Sequence, residues 1–172
     1  MTGKSCKMRN LTTEENERFI EECLKRNGCL YCWPTKQNKY SGKDLKQSIY
    51  KNVYDCSGLV TSSLFAATGA DWRATHNAQA LAQNSDFVKP SEIVAGDLVF
   101  YGADFNHISH VMVYLGRKHA LGTMKTDTIF GASGGNSKTV TPEIAMQQDA
   151  RVRAYRTINY RPDFVSCGRV RI

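Results

Sequence analysis

Residues 54–60 read Tyr-Asp-Cys-Ser-Gly-Leu-Val, and the cysteine among them is the residue type best suited to nucleophilic chemistry. Leu59, Val60, Leu64 and Ala67 share one side of a helix expected from about Asp55 to Gly69. Cys56 then sits in the first turn, where unpaired N–H groups and the positive end of the helix dipole favour thiolate over thiol. Thiolate is the nucleophilic form, so a catalytic cysteine is expected at such a place. Asp55 can cap the helix, and Gly58 leaves room for a substrate beside the sulfur. The plain alternative is a buried structural cysteine.

A thiol nucleophile needs a base, usually a histidine fixed by a third polar group. His110 opens the apolar run His110–Leu115, so its ring can emerge from a sheet rim toward a helix N-terminus. His107 is a loop alternative, whereas His76 and His119 read as surface residues.

The elements that must position these groups follow from periodicity. Residues 12–27 form a helix with a capping box, Thr12 and Glu15, and with Phe19, Ile20, Cys23 and Leu24 on one face. Residues 33–52 are polar, contain Pro34 and Gly42, and read as a long loop. After the helix at Asp55, a weaker one is expected over 72–83. From Ile93 the pattern changes to strands, at 98–101, 110–115, 129–132 and 151–160. Helices first and strands afterwards point to an α+β domain, with the N-terminal helices packed on an antiparallel β-sheet. With 172 residues, no repeat and no Pro/Gly-rich linker, residues 1–172 are read as a single domain.

Composition excludes several classes. Apolar residues make up 41 % of the chain, yet no run approaches the roughly 18 needed to span a membrane, so no membrane insertion is expected. The net charge of +7 favours an anionic partner, and six arginines follow residue 150 against the single acid Asp163. Neither zinc-finger spacing nor an RRM-like string accompanies that charge, so nucleic acid is not the expected partner. Six cysteines are irregularly spaced, and Cys29-x-x-Cys32 has no second pair, so free thiols are expected rather than a disulfide framework or a metal site. No cofactor is implied.

The ordered segments Tyr-Cys-Trp (31–33), Asp-Cys-Ser-Gly-Leu-Val (55–60), Ala-Gly-Asp-Leu-Val-Phe-Tyr-Gly (95–102), Ser-His-Val-Met-Val-Tyr-Leu-Gly (109–116) and Phe-Gly-Ala-Ser-Gly-Gly (130–135) resemble the NlpC-type cell-wall cysteine peptidases. That family is related to papain by a rearranged fold, and the resemblance covers about residues 11–136. It implies Cys56 as nucleophile and His110 as general base. Tyr31 matches the tyrosine of a Tyr-x-Trp-Gly segment beside the active site, with Trp33 in the same segment. Asp55, Ser57 and Gly58 match the shell around the nucleophile, and Asp97 a structural position. The third polar residue of the family aligns with Gly131, which cannot orient an imidazole. Ser133, two residues on and on the same strand face, and Asn136 in the following loop are the alternatives. Pro34 stands where the family prefers glycine.

The activity implied is a Cys–His peptidase cutting peptidoglycan stem peptides between D-γ-glutamate and the following diamino acid, with no metal or organic cofactor. Rival readings are a CHAP-type amidase, a non-catalytic wall-binding module, and a metal-dependent module on Cys29 and Cys32. The start, Met-Thr-Gly-Lys-Ser-Cys-Lys-Met-Arg-Asn, has no apolar signal region. The expectation is therefore a monomeric enzyme made in the cytoplasm that reaches the wall as a phage-type lysin through holins, as part of a phage particle, or as an injected toxin.

Overall fold

A computed structural model describes residues 7–33, 52–116 and 127–172. The loop expected over 33–52 lies outside the described residues except at its two ends, as do Cys6, Pro34 and His119.

Helix α1 (Thr13–Lys25) begins where the capping box predicts: the Thr12 hydroxyl accepts from Glu15 N, and the Glu15 carboxylate accepts from Thr12 N. It buries Phe19, Ile20 and Cys23 against α2 (Cys56–Thr68). Helix α2 starts on Asp55, whose carboxylate accepts from Gly58 N at 2.6 Å, and stops at Gly69 in the left-handed region at φ 82°. Ten of its thirteen residues are buried, among them Ser57, Thr61, Ser62 and Ser63. Such a helix lies in the middle of the core, and its small side chains let α1 and the sheet approach from different sides.

Two short strands, β1 (Leu30–Tyr31) and β2 (Val53–Tyr54), run parallel to each other. Helix α3 (Ala78–Gln83) leads into β3 (Ser85–Val88). Then come β4 (Leu98–Gly102), β5 (Ile108–Gly116), β6 (Thr128–Ser133), helix α4 (Pro142–Gln147), β7 (Arg151–Tyr155) and β8 (Phe164–Val170). The eight strands form one sheet in the order β2-β1-β7-β6-β5-β4-β8-β3, antiparallel except for the first pair. Every residue of β4 and of β6 is buried. That explains why the strand sequences read as nearly continuous apolar runs rather than alternating ones. One face, with Phe100, Val111, Val113 and Phe130, joins the helices' core. The other, with Val99, Tyr101, Met112, Tyr114 and Ile129, forms a second cluster covered by Tyr155, Ile158, Tyr160 and Phe164.

The α+β class holds, with helices packed on a largely antiparallel sheet. Three local expectations are corrected. The helix expected over 72–83 is confined to α3, because Asn77 restarts the chain as an N-cap and Trp72 and His76 stack at 4.3 Å in a turn before it. The strand expected over 151–160 ends at Tyr155, and the Thr157 hydroxyl then caps a 3-10 turn, Ile158–Tyr160. Helices do not all precede strands, since β1, β2 and β3 lie early and α4 late. The basic C-terminal run is also largely compensated. Arg151 and Arg153 pair with Asp149, Arg161 with Asp163, Arg169 with Asp97 and Arg171 with Asp86. Among the described residues no helix is long and apolar enough to cross a membrane.

Candidate active site

A cleft of about 670 Å³ opens where the start of α2, β1 and the first residues of β5 meet. Cys56, the first helical residue of α2, lines it and is 8 % exposed. The cap that fixes this position is made by the preceding residue, since the Asp55 carboxylate holds both Gly58 N and the Ser57 hydroxyl, the latter at 3.2 Å. The local conformation around the nucleophile candidate is therefore set by a contact spanning three residues of sequence, and the packing of α2 against α1 and the sheet carries it into the cleft. The other described cysteines are placed differently. Burial pushes the Cys23 thiol up to about 12 and the Cys167 thiol up to about 11, and neither lines the cleft. Among the described residues no group of three or more His, Cys, Asp or Glu side chains is arranged to hold a metal ion.

His110 lines the same cleft and is 6 % exposed. It is the third residue of β5, since the strand begins at Ile108, and it pairs across the ladder with Tyr101. Its ring lies 5.8 Å from the Tyr101 ring, on the strand face that also carries Met112 and Tyr114. Burial, reinforced by the Arg161 guanidinium and opposed by Asp163, lowers the imidazole to about 3, so it is neutral near pH 7. His107 is exposed in the loop before β5, tied to Asp104 at 2.8 Å, and does not line the cleft.

Tyr31 and Trp33 line the cleft from β1 and the residues just after it. Burial pushes the Tyr31 hydroxyl well above its ordinary range, and the neighbouring Cys56 and Asp55 push it further. The Tyr31 ring packs so closely on Gly135 that a Cβ there would come within 2.4 Å of it. Trp33 is half exposed. Asp55 and Ser57 also line the cleft, while Gly58 contributes its N–H to the cap. Asp97 stands elsewhere, buried beneath a two-pronged bond from Arg169 at 2.8 and 2.9 Å.

The third polar group is where the sequence reading needs correction. Gly131 faces Met112, whose sulfur would lie 2.4 Å from a Cβ at that position, so the thioether already fills the space a larger side chain would need. Asn136 lines the cleft, but its side chain accepts from Lys138 N and turns the loop on itself. Ser133 does not bond His110. Its hydroxyl lies 3.4 Å from that of Tyr160, and the Tyr160 hydroxyl lies 2.7 Å from His110 Nε2. Tyr160 belongs to the 3-10 turn after β7, fifty residues beyond His110 in sequence. No local pattern connects the two, and the only sequence trace is an aromatic run, Tyr155, Tyr160 and Phe164, after the last recognisable motif.

Cleft geometry of this kind supports nucleophilic attack by a thiol with an imidazole as proton carrier. The family model described as NlpC/P60 matches residues 30–146. No curated protein sequence matches the chain significantly. Among solved structures, the P60 domain of an antigen from M. avium subspecies paratuberculosis superposes with a TM-score of 0.61 at 18 % identity, covering 91 % of this chain and 93 % of that one. RipB of Mycobacterium tuberculosis, described as a peptidoglycan hydrolase, gives 0.57 at 23 % identity over 90 % of this chain and 64 % of its own. RipD of the same organism gives 0.54 at 16 % identity over 94 % and 98 %, and is described as a non-catalytic NlpC/p60 domain protein adapted to peptidoglycan binding. At these identities the structural likeness is one of fold.

Proposed function

The chain belongs to the NlpC/P60 family, and we propose that it is a cysteine peptidase that hydrolyses amide bonds in peptidoglycan stem peptides. The observation that carries the proposal is the meeting, in one cleft, of a cysteine at the first position of a helix and a buried, neutral histidine. The other described cysteines lack that combination.

In this reading His110 takes the Cys56 proton as the sulfur attacks the amide carbonyl. Backbone N–H groups at the start of α2 and the Tyr31 hydroxyl stabilise the tetrahedral oxyanion. Collapse breaks the C–N bond, and His110 returns the proton to the departing amine. Water then attacks the thioester with His110 again accepting a proton, which releases the acid and restores the thiol. We place the scissile bond between D-γ-glutamate and the diamino acid that follows, and Trp33 with Ser57 along the peptide's path.

A second reading has one observation in its favour, the similarity to RipD, which is described as non-catalytic. The test separates them. Purified peptidoglycan is digested with the wild-type chain beside Cys56→Ala, and fragments are read by mass spectrometry. New D-γ-glutamyl ends made by the wild type, with turnover lost by on the order of 10⁴-fold or more in the variant, are the expected result. Intact stem peptides with free L-alanine amines identify an amidase instead. Equal wall binding by both proteins with no fragments from either identifies a binding module.

A further inference from the structure

We infer that Tyr160 is the positioning residue for His110, filling with a phenol from the turn after β7 the place that a polar side chain on β6 would otherwise take. This inference rests on the Cys–His reading above. Its geometric basis is the 2.7 Å contact between the Tyr160 hydroxyl and His110 Nε2, the hydrogen bond the described residues give that imidazole.

The turn carrying Tyr160 is itself held in several ways. The Tyr101 hydroxyl, from β4, donates to Ile158 O at 2.7 Å and ties the turn to the sheet. The Tyr160 ring stacks on Tyr155 with centroids 4.4 Å apart and meets the edge of Tyr101 at 5.3 Å and 84°. Two ring contacts and one hydrogen bond to the turn's backbone therefore determine where the hydroxyl sits before His110 is considered. A group placed this rigidly restricts the imidazole to one orientation, which is what a positioning residue contributes.

The Cys–His reading selects the tautomer. Arg161 lies beside the Tyr160 hydroxyl and can only donate to it. On its other side, Ser133 Oγ at 3.4 Å is available as an acceptor. The Tyr160 hydroxyl can donate either to Ser133 Oγ or to His110 Nε2, and a base that takes the Cys56 proton through Nδ1 requires the arrangement in which Tyr160 donates toward Ser133 and accepts from His110 Nε2–H. Nδ1 then carries the lone pair, and Nδ1 is the nitrogen left to take the Cys56 proton. Burial pushes the Tyr160 hydroxyl up to about 12, so it is a neutral phenol across the working range. It orients the imidazole without offering a negative charge to an imidazolium. The charged and titratable groups around His110 are thus Tyr101 from β4, Tyr160, Arg161 and Asp163 from the segment between β7 and β8, and Cys56 with Tyr31 across the cleft.

Tyr160→Phe keeps both ring contacts and removes only the hydroxyl. The expected result is a fall in kcat of about 10²-fold with KM changed less than about threefold. The rate of Cys56 alkylation by iodoacetamide at neutral pH should fall alongside kcat, and Tyr155→Phe should leave both rates unchanged. In the wild type, ¹⁵N shifts of the His110 ring should report the Nε2–H tautomer. An Nδ1–H tautomer overturns the inference, as does a Tyr160→Phe variant that alkylates and turns over like the wild type. Alkylation and ring shifts need no substrate. A chain that cuts no wall fragment would therefore sink the peptidase reading without touching this test, whereas full activity in Tyr160→Phe would sink the inference alone.

Discussion

The two halves of the candidate site are built in opposite ways. The nucleophile half is local: Asp55, Cys56, Ser57 and Gly58 are consecutive, and one carboxylate capping one helix turn sets their geometry. The base half is assembled from distant pieces. His110 comes from β5, Ser133 from β6, Tyr160 and Arg161 from the turn after β7, and Tyr101 from β4 pins that turn. A local device can be read from four letters of sequence. An assembled one exists only once the strand register is set, because a slip of one residue would turn His110 to the other face of the sheet.

Substitutions on each side should expose that difference. The largest effects are expected on turnover, where Cys56→Ala on the local side should cost on the order of 10⁴-fold or more and His110→Gln on the assembled side about 10²–10⁴-fold with the fold intact. The His110→Gln variant has a second readout. The imidazole is lowered from 6.5 to about 3 by burial, so between those values the unfolded chain binds a proton that the folded chain does not. Its stabilising contribution is complete above about pH 6.5 and is lost progressively as pH falls toward 3. His110→Gln should therefore flatten the decline of melting temperature over that interval, and an unchanged slope would show that other groups govern acid sensitivity.

Away from the nucleophile and the base themselves the expected effects are smaller and fall on stability. Gly135→Ala brings a methyl within 2.4 Å of the Tyr31 ring and 2.9 Å of Thr139 Oγ1, so one of them must move. Denaturant titration should show a loss of about 1–3 kcal/mol, with a rise in KM if the ring is displaced into the cleft. Asp55→Ala removes the cap of α2 and should cost about 1 kcal/mol. Asp55→Asn keeps an acceptor for Gly58 N and should recover most of it. A cost for Asp55→Ala as large as that of a core deletion would show that the nucleophile half depends on more than its own turn.

The same division decides what could be read in advance. Thr12 with Glu15 and Asp55 with Gly69 mark helix ends through contacts within a few residues, and both helices begin within a residue of where they were expected. Strands β4, β5 and β6 were visible as apolar runs because both of their faces are covered. Strand β8, Phe-Val-Ser-Cys-Gly-Arg-Val, mixes small, polar and charged residues. Its pairing with β3 and β4 is recorded only in the tertiary structure. Tyr160 leaves no comparable mark in the sequence. The alternation of β6 offers Ser133 as an alternative, but nothing local says that the hydroxyl of Tyr160, from another segment, lies 3.4 Å from Ser133 Oγ and 2.7 Å from His110 Nε2. Gly131 has no side chain to offer an imidazole, and Met112, a neighbour across the sheet, fills the space that one would need.

Strands β7 and β8 also bear on where this unit can be cut. The family match ends at residue 146, yet β7 is inserted between β1 and β6, and β8 between β4 and β3. A fragment trimmed at that boundary would retain every recognisable motif and leave Tyr31 and His110 on sheet pieces no longer joined through their neighbours. The last 26 residues thus behave as a clasp rather than a tail, and exchange of this unit between proteins would have to carry them along.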